Sequence, residues 1–166
     1  DPFGNTTRRT YDGISRLTTQ TDPVGWTAGF VYDPLNRITQ FRDARDGATQ
    51  FTYDQNGNLL TVTDARGNVT AHTYDSMNRL AMRIDPVGGG ELFEYDASGN
   101  LVSHTDRKGQ LNTFGYDGLN RQIRATYADG AAASYSYDAG GRLVLAEDTA
   151  DPSRSILVTF DVLDRL

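Results

Sequence analysis

Apolar and polar residues alternate along this chain in short runs, separated by clusters rich in Asp, Asn and Gly. No stretch carries the stripe at every third or fourth place that an amphipathic helix requires, so the pattern predicts strands joined by tight turns. Two places before successive tyrosines stand Phe30, Phe51, His72, Phe93, Phe114 and Tyr135. Strand side chains alternate between faces, so these rings and the tyrosines share one face as an aromatic ladder. The intervening places hold Thr10, Val31, Thr52, Thr73, Glu94, Gly115, Ser136 and Thr159, a β-favouring but more polar opposite face.

The alternation is itself repeated. Tyr11-Asp12, Tyr32-Asp33, Tyr53-Asp54, Tyr74-Asp75, Tyr95-Asp96, Tyr116-Asp117 and Tyr137-Asp138 follow one another at a constant step of 21 residues. An eighth copy, Phe160-Asp161, comes after 23, which places two extra residues within EDTADPSRS. A fixed period of this kind means that one small supersecondary unit is copied and stacked.

With each tyrosine as position zero, position four is Ser15, Asn36, Gly57, Asn78, Gly99, Asn120, Gly141 or Asp164. All of these residues tolerate a left-handed backbone. Asp at position one and a left-handed residue at position four suit a three-residue hairpin loop, a type I turn followed by a G1 bulge. That loop sets position one opposite position five and the tyrosine opposite position six. Position five is Arg16, Arg37, Asn58, Arg79, Asn100, Arg121, Arg142 and Arg165, which gives each Asp a cross-strand donor. Position six is Leu17, Ile38, Leu59, Leu80, Leu101, Gln122, Leu143 and Leu166, mostly an aliphatic partner for the tyrosine ring. Each such pair is worth roughly 0.2 to 1 kcal/mol.

A second turn completes the unit. DPVG at 22–25 and 85–88 has the type I preferences, DARG and DRKG are looser versions, and YADG at 127–130 replaces the leading Asp. DARDG at 43–47 reads as one residue longer. The expected fold is all-β, an antiparallel meander with one hairpin per repeat. Position three alternates between Leu35, Met77, Leu119 and Leu163 on the one hand and Asn56, Ser98 and Gly140 on the other, a superperiod of 42 residues. Every second tip is thus expected to pack against another surface. About 15 strands spaced ~4.8 Å apart would span ~70 Å, and open sheets of that width curl. The strip should therefore curve or spiral, and its aromatic face needs covering by coiling, by cargo or by another chain. The superperiod also fits a propeller of four-stranded blades, but the Gly-His and Trp-Asp blade marks are missing and the strip is preferred.

Composition narrows the partners. The net charge is -6, and the 16 Lys and Arg are spread through the repeats without a basic stripe, which argues against nucleic acid. There is no cysteine, and no apolar run approaches the ~20 residues that span a bilayer, so membrane insertion is not expected. The chain starts at DPFGN and stops at LDRL, each within a repeat, and reads as a segment of a longer protein holding a single array over 1–166. Edge strands of such a segment invite self-association.

FTYDQNGNLLTVTDARGNVT, FEYDASGNLVSHTDRKGQLN and FGYDGLNRQIRATYADG resemble the YD, or Rhs, repeat family across essentially the whole chain. Members include bacterial polymorphic toxins, the B and C components of insecticidal toxin complexes, and teneurins. The resemblance implies a β-strip wound into a hollow shell, which in bacterial members encloses a C-terminal toxin or effector domain of the same parent protein. It also implies a secreted or cell-envelope setting. The self-cleavage motif DPxGL of shell-forming toxins is not matched, because Trp26 and Gly89 follow the two DPVG copies.

Sharper chemistry finds little support. His72 and His104 stand in columns otherwise filled by unrelated residues, and no convergent set accompanies them. The glycine-rich nonapeptide of calcium-binding β-rolls is absent, as is a G-x-S-x-G motif. The expectation is a structural protein with no catalytic residues, cofactor or metal. The alternative is a surface module that binds carbohydrate or protein through exposed aromatic residues.

Overall fold

The computed structural model describes residues 5–149 and 151–159, in two compact units, Asp1–Gly88 and Gly89–Leu166. The first holds eight strands: β1 (Arg8–Tyr11), β2 (Leu17–Thr21), β3 (Thr27–Tyr32), β4 (Ile38–Arg42), β5 (Ala48–Tyr53), β6 (Leu59–Thr63), β7 (Val69–Tyr74) and β8 (Leu80–Ile84). Each pairs antiparallel with the next. The second holds β9 (Gly90–Tyr95), β10 (Leu101–Thr105), β11 (Leu111–Tyr116), β12 (Gln122–Thr126), β13 (Ala132–Tyr137), β14 (Leu143–Asp148) and the short β15 (Ile156–Leu157), again in chain order. Eight strands paired in succession rule out four-stranded blades. A 3-10 turn, Pro152–Arg154, takes up the extra residues before β15.

Every Tyr-Asp turn has the same form. In the third repeat Asp54 N donates to Asn58 O at 3.0 Å and Gly57 N to Asp54 O at 3.2 Å, with Gly57 at φ 92°. Ser15, Asn36, Asn78 and Asn120 adopt positive φ at the same place, between 61° and 67°. The tyrosine Cα lies opposite position six, as in Tyr53 with Leu59. Directly beneath, the register slips: Thr52 pairs with Thr61, so Leu60 is a bulged extra residue. The slip sets the aromatic row against position nine, giving Phe30 opposite Phe41, Phe51 opposite Val62 and Phe93 opposite His104.

The second turns copy this geometry. Asp22 N donates to Trp26 O, Gly25 N donates to Asp22 O, and Gly25 lies at φ 93°. DARDG is no exception, which corrects the expectation of a longer loop. Asp43 N donates to Gly47 O, and Asp46, not Gly47, occupies the left-handed place at φ 67°. Asp can hold that conformation because its short polar side chain costs less there than a branched one.

Apart from Tyr11, the Tyr and Phe rings of the aromatic face are half-buried, whereas the intervening Thr52, Thr73 and Glu94 are exposed. Among the described residues Ala125 alone is fully buried, between its cross-strand partners Phe114 and Ala133. This is a single layer without a closed core. The apolar tips Leu35, Met77 and Leu119 lie 60–73% exposed, and Ile14, at the same place in the first repeat, is 65% exposed, so within this structure they face mostly solvent. Leu163, Phe160, Asp161, Asp164, Arg165 and Leu166 lie outside the described residues.

Candidate functional site

The ladder between successive hairpins is incomplete. Strands β2 and β3 pair from Thr19 opposite Gly29 to Thr21 opposite Thr27, and β4 with β5, β6 with β7, β10 with β11 and β12 with β13 repeat that short register. At these five seams the pairing stops short of the Tyr-Asp ends, and the groups left there need other partners. Side chains of the repeat motif supply them.

Five of the motif tyrosines reach back one hairpin with their hydroxyls. Tyr32 Oη donates to Leu17 O at 2.9 Å, Tyr53 to Ile38 O at 2.8 Å, Tyr74 to Leu59 O at 2.9 Å, Tyr116 to Leu101 O at 2.9 Å and Tyr137 to Gln122 O at 2.8 Å. Tyr95 pairs with Leu101 inside its own hairpin. Tyr11, on β1, is 56% exposed.

Each aspartate organises its own tip. Asp33 Oδ1 accepts from Leu35 N and Arg37 N, and Oδ2 accepts from Arg37 Nε at 2.7 Å. Asp12 with Arg16, Asp75 with Arg79, Asp117 with Arg121 and Asp138 with Arg142 do the same. Asp54 and Asp96 use the amides of Asn58 and Asn100 instead. The backbone N–H of Arg16, then its guanidinium, holds the Asp12 carboxyl below the usual carboxylate range. The Asn58 amide does so first at Asp54. At Asp33 desolvation, the largest single influence, pushes upward, but the N–H and guanidinium bonds of Arg37 together outweigh it and the pKa is lowered.

Position five also crosses the seam in the other direction. Arg16 Nη1 donates to Asp33 O and to Asn36 Oδ1, each at 3.0 Å, while its guanidinium carbon lies 4.8 Å from the Tyr32 ring centre. Arg37 donates to Asp54 O at 3.0 Å and covers Tyr53 at 4.7 Å, and Arg121 covers Tyr137 at 4.6 Å. Where position five is Asn, the link is made tip to tip: Asn58 Nδ2 donates to Asn78 Oδ1 at 2.8 Å and Asn100 Nδ2 to Asn120 Oδ1 at 2.9 Å. Asn56 Nδ2 adds a second bond to Asn78 Oδ1.

Pairing within a hairpin is legible in the columns of the repeat, whereas these links between repeats emerge only with the fold. A signal for them is present in the sequence: Asn36-Arg37, Gly57-Asn58, Asn78-Arg79, Gly99-Asn100 and Asn120-Arg121 alternate two tip types. Gly at position four follows an Asn-Arg tip, where a Cβ on Gly57 or Gly141 would touch Arg37 Nη1 at 4.0 Å or Arg121 Nη1 at 3.7 Å.

The histidines join no such system. His104 stacks on Phe93 at 4.8 Å, and His72 stands opposite Arg83 with its Nδ1 buried and unpartnered. Among the described residues no three His, Asp or Glu side chains converge on a metal position, and no helix is long and apolar enough to cross a membrane.

No curated protein matches the chain. Among solved structures it is similar to TcdB2-TccC3 without hypervariable C-terminal region (TM-score 0.77, 20% identity, 95% of this chain). It is also similar to TcdB2-TccC3-Cdc42 (0.76, 21%, 95%) and to the Photorhabdus luminescens Tc holotoxin pore (0.71, 20%, 92%). It spans 10% of the length of each of those chains, and at such identity the likeness is one of fold. The family model described as teneurin YD-shell matches residues 6–157, almost the whole of the repeat array whose seam is described above, and the chain belongs to that family.

Proposed function

We propose that this chain is a stretch of shell wall, a non-catalytic repeat region that curves around and encloses a C-terminal toxin or effector domain of its parent protein. The observation that supports it most is a sheet held together sideways. Among the described residues only Ala125 is fully buried, while tyrosine, arginine and asparagine bonds tie hairpin to hairpin along one end of the strands. A wall needs lateral cohesion and no interior of its own. The array of about eight repeats is one segment of that wall, its parent is secreted or sits at the cell envelope, and its free edges are where neighbouring wall segments join. The tyrosine row is poorly suited to gripping a ligand, because arginines cover the rings of Tyr32, Tyr53 and Tyr137 and their hydroxyls are already committed.

The chain has no cysteine, and with any cysteines elsewhere in the parent protein replaced, single thiols can report which face is enclosed. Val62 stands in the aromatic row and Thr61 on the opposite face. In the intact parent protein, a polymer-linked maleimide is expected to label Thr61→Cys and spare Val62→Cys, while a small maleimide labels both. Equal labelling of the two by the bulky reagent would refute enclosure.

A further inference from the structure

The three seams inside the first unit are alike in backbone and differ in their side chains. Each has three register pairs, starting from Thr19 opposite Gly29, Gln40 opposite Gln50 or Thr61 opposite Ala71 and ending at the second turn. Each carries one tyrosine bond beyond those pairs, from Tyr32, Tyr53 or Tyr74. At the first two seams a guanidinium also closes the Tyr-Asp end. Arg16 and Arg37 donate to the backbone of the next repeat, at Asp33 O and Asp54 O, each at 3.0 Å, and lie over the next tyrosine ring. At the third seam, between β6 and β7, Asn58 stands in that place. Its short amide ends on Asn78 Oδ1, an exposed acceptor shared with Asn56 Nδ2. Among the described residues no side chain crosses this seam to Asp75 O, and no cation covers the Tyr74 ring.

The opposite end of the same seam is the better fastened. Asp22 and Asp43 organise their second turns through Oδ1 alone, accepting from Val24 N and Trp26 N and from Arg45 N and Gly47 N. Asp64 accepts the matching pair from Arg66 N and Asn68 N, and Asn68 Nδ2 adds a bond to Oδ2 at 2.8 Å. Hydrogen bonds with one ionised partner are roughly twice as strong as neutral ones. Relative to its two predecessors, the β6–β7 seam lacks such a bond at its tip end and has one more at its turn end.

We propose that this seam is a hinged slit. The Tyr-Asp halves of the third and fourth hairpins swing apart as units, the turn from Asp64 to Asn68 stays closed, and the two preceding seams hold. The hairpins themselves survive the opening, because Asp54 and Asp75 bond within their own tips. Only the Tyr74 bond to Leu59 O and the two amide bonds to Asn78 must part before the first register pair is reached. The sheet therefore yields along one fixed line. This device belongs to the sheet itself and does not depend on the shell reading.

Amide hydrogen exchange, followed by NMR in the full chain and corrected for intrinsic rates, separates seam opening from global unfolding. Residues 60–61 and 71–72, beside the tip end of the slit, are expected to exchange about fivefold or more faster than their counterparts 39–40 and 50–51 at the β4–β5 seam. The second turn, 64–69, is expected to be at least as protected as its counterpart 43–48. Asn58→Arg supplies the missing guanidinium. Arg142, which follows Gly141 and bonds Asp138, and Arg16, which bonds Asn36, provide the precedents for its own tip and for its neighbour. The variant is expected to slow 60–61 and 71–72 to within about twofold of 39–40 and 50–51 while leaving 43–48 unchanged. Equal protection of the two seams in the native chain overturns the proposal. So does an Asn58→Arg variant that slows exchange evenly across the unit or leaves 60–61 and 71–72 as fast as before. Exchange at 64–69 as fast as at 60–61 would mean that the seam parts along its whole length, and the hinge falls.

Discussion

Tyr53 and Tyr11 occupy the same place in the motif but not the same surroundings. Tyr53 Oη donates to Ile38 O at 2.8 Å, whereas Tyr11, on the first strand, is 56% exposed. Tyr53→Phe is therefore expected to cost ~0.5–1.5 kcal/mol in urea unfolding, while Tyr11→Phe leaves the midpoint unchanged. The left-handed column divides in a similar way. Asp46 makes only an exposed contact with Arg42, so Asp46→Gly should stabilise by ~0.4–1 kcal/mol. Asn78 Oδ1 accepts from both Asn56 and Asn58, so Asn78→Gly should lower the melting temperature although it eases the backbone. The tip carboxylates add a pH dependence. Asp12, Asp54 and Asp75 ionise below their ordinary value of 3.8 in the fold. Their contribution is thus complete above that value and is lost as pH falls through the lower folded values. Thermal melts taken from neutral pH downward should hold level and then drop below about pH 4. A drop beginning near pH 6 would assign the acid sensitivity to other groups.

At the level of the hairpin, much is legible directly from residues. Asp at position one and Gly or Asn at position four have one economical backbone solution, so the turn and the Tyr53–Leu59 register follow from local chemistry. What lies beyond the turn is harder. The bulge at Leu60 and the half-open ladder between hairpins depend on how two strands twist past each other, and no single column encodes that. DARDG misleads because glycine draws attention in a turn, whereas the position of Asp43 fixes Asp46 as the left-handed residue. The role of arginine is half visible: its own aspartate can be assigned from spacing, but the next repeat's carbonyl and ring come within reach only through the packing of neighbouring hairpins. Neighbouring tips are then linked in two ways, through an amide as from Asn58 to Asn78 or through a guanidinium as from Arg16 to Asn36. In a double-mutant cycle, Asn58→Ala and Asn78→Ala should show a coupling of ~0.5–1.5 kcal/mol, and additive losses would refute a direct link.

Across the whole molecule, stability should behave as a sum of hairpins and seams, as in other quasi-one-dimensional arrays. Removing residues 54–74, one repeat, sets Arg37 beside Asn78 as Arg16 stands beside Asn36, so the shortened array is expected to melt cooperatively, at a lower temperature than the full one because it has one hairpin fewer. A tyrosine that anchors only to the hairpin before it has a further consequence. No residue in such a chain senses how many units precede or follow, so evolution can change the total length by copying or losing a pair of units.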